Sequence, residues 1–185
     1  MPSKKRIWYP GATYHITSRG NRKSKLFKEK EDYKVYLRII RSTKDKYNFN
    51  IYSYCLMTNH VHLQLKTEEI EIWKIMRRIN WHYAKYFNNK YNLVGHLFQG
   101  RYRASIIEKD YYQLVTSRYI HLNPLKAELV KDLEEYEWSS YSYYLGIKPS
   151  DIVNESKILS YFKDGLKGNK RKLYKKYVES GIRKI

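Results

Sequence analysis

His60 and His62 stand either side of a single valine, inside the apolar run Ile51-Tyr52-Ser53-Tyr54-Cys55-Leu56-Met57-Thr58-Asn59-His60-Val61-His62-Leu63-Gln64-Leu65. A strand repeats every two residues, so His60, His62 and Gln64 share one face and Val61, Leu63 and Leu65 the other. Two imidazoles about 7 Å apart along a strand can lean onto one divalent ion. The plainer alternative is a pair of ordinary histidines on a half-exposed strand, and the pair by itself does not exclude it. A second cluster lies in Arg118-Tyr119-Ile120-His121-Leu122-Asn123-Pro124. Tyr119 and Asn123 are four apart, so on a helix they face the same way with Cβ atoms about 5–6 Å apart. A tyrosine oxygen can attack a phosphodiester when a metal neutralises the phosphate. An Asn oxygen can be a third ligand beside two imidazoles, leaving positions for water or a phosphate oxygen. Equally, Tyr119 is one of 21 tyrosines and Asn123 a helix cap. Spacing alone does not choose.

The elements that would hold these residues can be read from periodicity. Residues 14–18 form a short strand closed by a turn at Arg19-Gly20-Asn21, and residues 31–47 have a helical apolar period. Two strands, 50–58 and 60–67, are joined tightly around Asn59. Residues 70–87 are helical, with Ile72, Ile75, Met76, Ile79, Tyr83 and Phe87 on one face. A loop at 95–100, a strand at 102–107 and a helix at 110–122 follow; Asp110 can cap that helix and Pro124 is expected to stop it. The order strand, helix, two strands, helix, strand, helix indicates an α+β sandwich, with helices packed on one face of a mainly antiparallel sheet. A further short helix is expected over 138–145. The chain is expected to divide into a main domain at 1–148 and a basic helical C-terminal extension at 149–185, broken at Gly165 and Gly168.

Composition narrows the class. A single cysteine, Cys55, excludes an intrachain disulfide and a cysteine-based zinc cage. The first residues have basic side chains without an apolar stretch after them, and no run approaches the length of a membrane span, so a cytoplasmic location is expected. The net charge of +19 is concentrated at the ends: residues 1–48 hold 14 Lys/Arg against 4 Asp/Glu, and residues 163–185 hold 9 against 2. Such a surface attracts polyanions, and tyrosines interleaved with the cations offer stacking platforms for unpaired bases. Nucleic acid is the expected partner.

Five segments then carry a resemblance. Tyr14-His15-Ile16-Thr17-Ser18-Arg19-Gly20-Asn21, Cys55-Leu56-Met57-Thr58-Asn59-His60-Val61-His62, Gly95-His96-Leu97-Phe98-Gln99-Gly100-Arg101-Tyr102, Tyr119-Ile120-His121-Leu122-Asn123-Pro124 and Trp138-Ser139-Ser140-Tyr141 occur in that order. Together they resemble the signature blocks of the HUH-type single-tyrosine transposases, in the REP-associated tyrosine transposase branch, over about residues 6–145. Thr58 stands where many relatives have Pro, and Asn123 where more distant relatives have Gln.

The resemblance implies a ferredoxin-like sheet with the histidines on a central strand. It implies that His60 and His62 bind Mg²⁺ or Mn²⁺, that Asn123 completes the ion's shell, and that Tyr119 is the nucleophile. His15 would be structural or would line the substrate. The reaction expected is cleavage of single-stranded or hairpin-forming DNA through a 5′-phosphotyrosine link, followed by rejoining. The link conserves the phosphoester energy, so no nucleotide cofactor is needed. Arg19, Arg22, Lys23, His96, Arg101 and Arg103 are the candidates for DNA contacts. His121 is rotated about 200° from Tyr119 and is not read as a ligand. A monomer and a homodimer with exchanged tyrosines both remain open. The competing readings are a rolling-circle initiator or relaxase-like nickase, and a non-catalytic binder of structured nucleic acid.

Overall fold

The computed structural model describes residues 7–162 and 169–182. The expected breaks at Gly165 and Gly168 lie outside them. Val61, Leu63 and Leu65 are almost wholly buried, and their strand, β3 (His60–Thr67), is central. It pairs antiparallel with β2 (Phe49–Met57) on one side and β1 (Thr13–Arg19) on the other. β4 (Arg103–Ile106) completes the sheet against β1, in the order β2-β3-β1-β4. Thr58 and Asn59 make the turn between β2 and β3, with Met57 opposite His60. Opposed residues of antiparallel strands share a face. The register therefore gathers His15, Thr17 and Arg19 of β1, and Cys55 and Met57 of β2, on the face that bears His60, His62 and Gln64.

Two helices cover the opposite face. Tyr36 and Ile40 of α1 (Lys30–Lys46) and Ile75, Ile79 and Tyr83 of α2 (Ile72–Tyr91) join Tyr14, Ile16, Val61, Leu63 and Leu65 in one core. Glu29 and Asp32 close a capping box at the start of α1. The buried Asp32 carboxylate also accepts from Lys90, Tyr86 and Tyr91 near the end of α2, which ties the two helix ends together.

The histidine face has its own helix. Ile120 of α3 (Asp110–Lys126) packs on Cys55 and Met57, and Gln64 Nε2 donates to the Gln113 carbonyl and side-chain oxygens at 3.1 and 2.6 Å. The one-sided helix layer expected from the element order thus describes α1 and α2, with α3 added on the other side. The reason is visible in burial: Ser53, Cys55, Met57, His62 and Gln64 are at most 5% exposed, so that face needs a cover.

α3 also runs through Pro124 instead of stopping before it. The missing N–H costs the Ile120 carbonyl its usual helical partner. Beyond it, the Ala127 N–H bonds the Asn123 carbonyl and the Leu129 N–H bonds the Pro124 carbonyl, both at 3.0 Å, while Leu122 and Pro124 are buried. That packing holds the last turn, so Asn123 lies within the helix and not at a frayed end.

α4 (Tyr141–Tyr144) falls on the short helix expected over 138–145, and the C-terminal segment after it carries α5 (Ser156–Leu159) and α6 (Lys170–Glu179). Its described part is basic outside but apolar within: Ile152, Val153, Ile158, Tyr174 and Val178 are buried in the same core, and Val153 bridges to Ile51 of β2. No helix of the described residues is long and apolar enough to cross a membrane.

Candidate active site

A basin of about 460 Å³ opens between the exposed part of the histidine face and α3. β1 supplies His15, Thr17 and Arg19 to its wall, β3 supplies His60 and His62, and β4 supplies Arg103. Tyr119 comes from α3, and Gln99 and Arg101 from the loop before β4. Strand alternation aims the β residues, and the helix laid across the sheet aims the tyrosine. Tyr119 is 41% exposed, and its ring meets His15 and His62 edge-on at centroid distances of 5.6 and 5.5 Å. The His60 and His62 rings are perpendicular, 4.9 Å apart.

The hydrogen bonds leave one nitrogen of each β3 histidine uncommitted. His60 Nδ1 donates to Asn59 Oδ1 at 2.7 Å, which leaves Nε2 with the lone pair. His62 Nδ1 is engaged by His15 Nε2 at 3.0 Å and by Thr17 Oγ1 at 3.3 Å, so its spare nitrogen is again Nε2. Burial, with further repulsion from His60 and His15, pushes the His62 pKa down to about 3. Burial and then Arg19 lower that of His60, and burial lowers that of His15. At neutral pH all three rings are neutral and can present lone pairs.

This donor set fits a divalent ion through two imidazoles and no more. Among the described residues, no three of His, Cys, Asp and Glu form a metal-holding group, and His15 Nε2 is engaged with His62 Nδ1. Water, phosphate oxygens or a side-chain amide would complete the shell. The amide that lines the basin is Gln99. Asn123 is buried beside the helix backbone, and its Nδ2 donates to the Tyr119 carbonyl at 2.7 Å. It is thus one turn from the tyrosine, as its spacing indicates, but outside the basin wall.

The expected DNA contacts divide in two. Arg19, Arg101 and Arg103 line the basin itself. Arg22 and His96 line a neighbouring hollow of about 700 Å³. Lys23 lies on the loop that follows β1, its carbonyl accepting from Asn59 Nδ2 at 3.3 Å. That loop is tightly wound: Arg22 and Lys23 have φ of 52° and 62°, a left-handed conformation uncommon for residues other than glycine. A Cβ on Gly20 would stand 2.1 Å from the Ser24 carbonyl oxygen, so the turn needs glycine there. Thr17 and Gln99 also line the basin, and neither is among the residues that the sequence singles out. Thr17 had a signal, since it alternates with Ile16 and Ser18 on the face of His15; Gln99, in a loop without periodicity, had none.

A second histidine–tyrosine cluster lies across α3 from the first. His121 is fully buried, and both its nitrogens are used: Nε2 with Ser140 Oγ and Nδ1 with Tyr174 OH, each at 2.7 Å. Tyr174 also shares a hydrogen bond with Ser117 Oγ at 2.6 Å. Tyr141 and Tyr144 enclose the ring. Burial depresses the His121 pKa to about 3.

Residues 9–123 match the family described as IS200-like transposases. No protein of curated function matches. Among solved structures, a REP-associated tyrosine transposase bound to a REP hairpin superposes with a TM-score of 0.67 at 22% identity, over 83% of this chain and 94% of that one. A protein from Deinococcus radiodurans R1 described as a transposase gives a TM-score of 0.45 at 16% identity, over 64% and 95%.

Proposed function

This chain belongs to the IS200-like transposase family, and on that footing we propose that it is a DNA strand transferase acting on single-stranded or hairpin-forming DNA. One observation carries the reading: a half-exposed tyrosine and two neutral imidazoles with spare nitrogens meet in a single basin walled by three arginines. The similar structure bound to a REP hairpin supports a hairpin as the form of the DNA.

In this reading Arg19, Arg101 and Arg103 bind the phosphates on either side of the scissile bond and fix the strand's register. Tyr119 Oη attacks the phosphorus, forming the Tyr–O–P bond as the P–O3′ bond breaks. The phenol proton passes to solvent, and the departing 3′-oxygen takes one up. The products are a 5′-phosphotyrosine link and a free 3′-hydroxyl, and attack by another 3′-hydroxyl reverses the step and rejoins a strand. A Mg²⁺ or Mn²⁺ ion held by His60 and His62 would supply charge neutralisation at the phosphate. Asn123 would be its third donor through Oδ1, the ligating atom of an amide, while its Nδ2 anchors the side chain to the Tyr119 carbonyl. His15 and Thr17 orient His62. Tyr119 sits against histidines of its own chain, so the tyrosine is assigned to act in cis.

The test is covalent capture. Mixed with a single-stranded target and Mg²⁺ or Mn²⁺, the chain should yield a protein–DNA species that survives denaturing electrophoresis, mapping to the peptide with Arg118-Tyr119-Ile120. Tyr119→Phe should yield none while still folding and binding DNA. DNA bound without any adduct would leave the non-catalytic binder as the reading, and an adduct on Tyr111 or Tyr112 would move the nucleophile.

A further inference from the structure

Two of the four tryptophans, Trp73 and Trp81, lie open to solvent on α2, 41% and 56% exposed. The core-facing side of that helix is complete without them, since Ile72, Ile75, Met76, Ile79, Tyr83 and Phe87 make the buried stripe. Trp73, Arg77 and Trp81 are spaced by four, so they form a single outward ridge with the guanidinium between the rings. The ridge borders a hollow of about 710 Å³ on one side and one of about 500 Å³ on the other.

We propose that this ridge is a stacking track for unpaired bases of the DNA strand that enters the catalytic basin. The inference rests on the reading that the basin takes single-stranded or hairpin-forming DNA. Three further observations support it. The first is charge: Lys74, Arg77, Arg78 and Lys85 are on α2 beside the ridge and no acidic residue is on the helix, although Glu71 at its N-cap pairs with Lys74 at 3.5 Å. Lys74 and Lys85 hold their ammonium groups 5.6 and 5.5 Å from the Trp73 and Trp81 rings. An indole flanked by cations suits a base and its phosphate and suits an apolar protein surface poorly.

The second is continuity, because Arg101 lines both the larger hollow and the catalytic basin. A strand leaving Tyr119 can pass from one to the other without crossing a neutral stretch. The third is an unused acceptor. Asn80 lines the larger hollow; its Nδ2 donates to Ser18 Oγ at 3.3 Å, while its Oδ1 is buried with no hydrogen-bond partner. A rotation of the amide, held only by the long Ser18 bond, would bring that oxygen to an exocyclic amino group of a base in the hollow. The dimensions agree: eight residues of helix separate the rings by about 12 Å, the length of three to four stacked nucleotides at about 3.4 Å each.

The experiment compares two probes on the full chain: a hairpin that ends flush at its stem, and the same hairpin with a short unpaired extension on its 5′ or 3′ side. Trp73→Ala and Trp81→Ala should each weaken binding of one extended hairpin about tenfold. The flush hairpin should bind unchanged, Trp→Phe should retain most of the affinity, and the extended probe alone should quench tryptophan fluorescence. Equal losses on both probes, or no loss on either extension, would overturn the track. So would self-association that disappears in the alanine variants while DNA binding persists, since the ridge would then be a protein interface. Adduct formation at Tyr119 is scored separately: a tryptophan-dependent extension effect without any adduct keeps the track and removes the strand-transfer reading, and an adduct with no tryptophan effect does the reverse.

Discussion

α3 separates two clusters built from the same kinds of residue. On one side His15 and His62 meet Tyr119, with His60 beside them; on the other His121 meets Ser140, Tyr144 and Tyr174, which also bonds Ser117. Burial lowers the histidine pKa in both, to about 3 for His62 and for His121. The difference lies in how their hydrogen-bonding capacity is used. Both nitrogens of His121 are paired inside a closed aromatic cage, so nothing is left for a ligand. His60 and His62 each keep one nitrogen in reserve beside a half-exposed phenol. The saturated cluster braces the helix, and the unsaturated one can act. A perturbed pKa marks burial in both cases and does not by itself identify a site.

The largest effect that could break this contrast is on catalysis. His60→Ala, His62→Ala or a chelator should lower cleavage on the order of 10³-fold, with DNA still bound and thermal stability little changed. Gel quantification of adduct and free 3′ product reads it; full cleavage in excess chelator would remove the ion from the mechanism. His121→Ala should do the opposite. It removes one hydrogen bond each from Ser140 and Tyr174 and opens a cavity, which costs about 2–4 kcal/mol of stability by denaturant titration. Activity per folded molecule should survive; a loss as deep as that of His62→Ala, in a variant of unchanged stability, would make the brace part of the chemistry.

Acid sharpens the comparison further. Burial holds the pKa of folded His121 down to about 3 against an ordinary 6.5, so below 6.5 the unfolded chain binds the extra proton. Stability should therefore be full above pH 6.5 and fall as the pH drops towards about 3, by up to about 1.4 kcal/mol per pH unit from this residue. His121→Gln should make the acid limb shallower by that amount, and an unaltered limb would show that other groups set it. The smallest expected effects concern salt. Arg103→Gln, in the basin, should reduce the slope of log affinity against log salt by about one. Tyr174→Phe, in the brace, should cost about 1 kcal/mol of stability and leave that slope alone.

Much of this was legible in the chain because it depends on local period. Alternation placed His60 and His62 on one face of β3 and their apolar neighbours on the other, and the helical repeat of α2 marked its buried stripe. The four-residue spacing put Asn123 one turn from Tyr119, and the ordered blocks carried the family. Proline at 124 misled, since a local rule about a missing N–H was overridden by burial of the turn that contains it.

The sequence by itself determined the strand faces, the helix stripes, the basic ends and the family. Tertiary structure decided which histidines are spare and which are spent, because that depends on partners such as Thr17, Ser140 and Tyr174, which lie far away along the chain. It also decided that the C-terminal segment, basic by composition, buries Tyr174 against α3, and that Trp73 and Trp81 stay outside. An amphipathic pattern states that a face can be buried; only the packed neighbours state whether anything covers it.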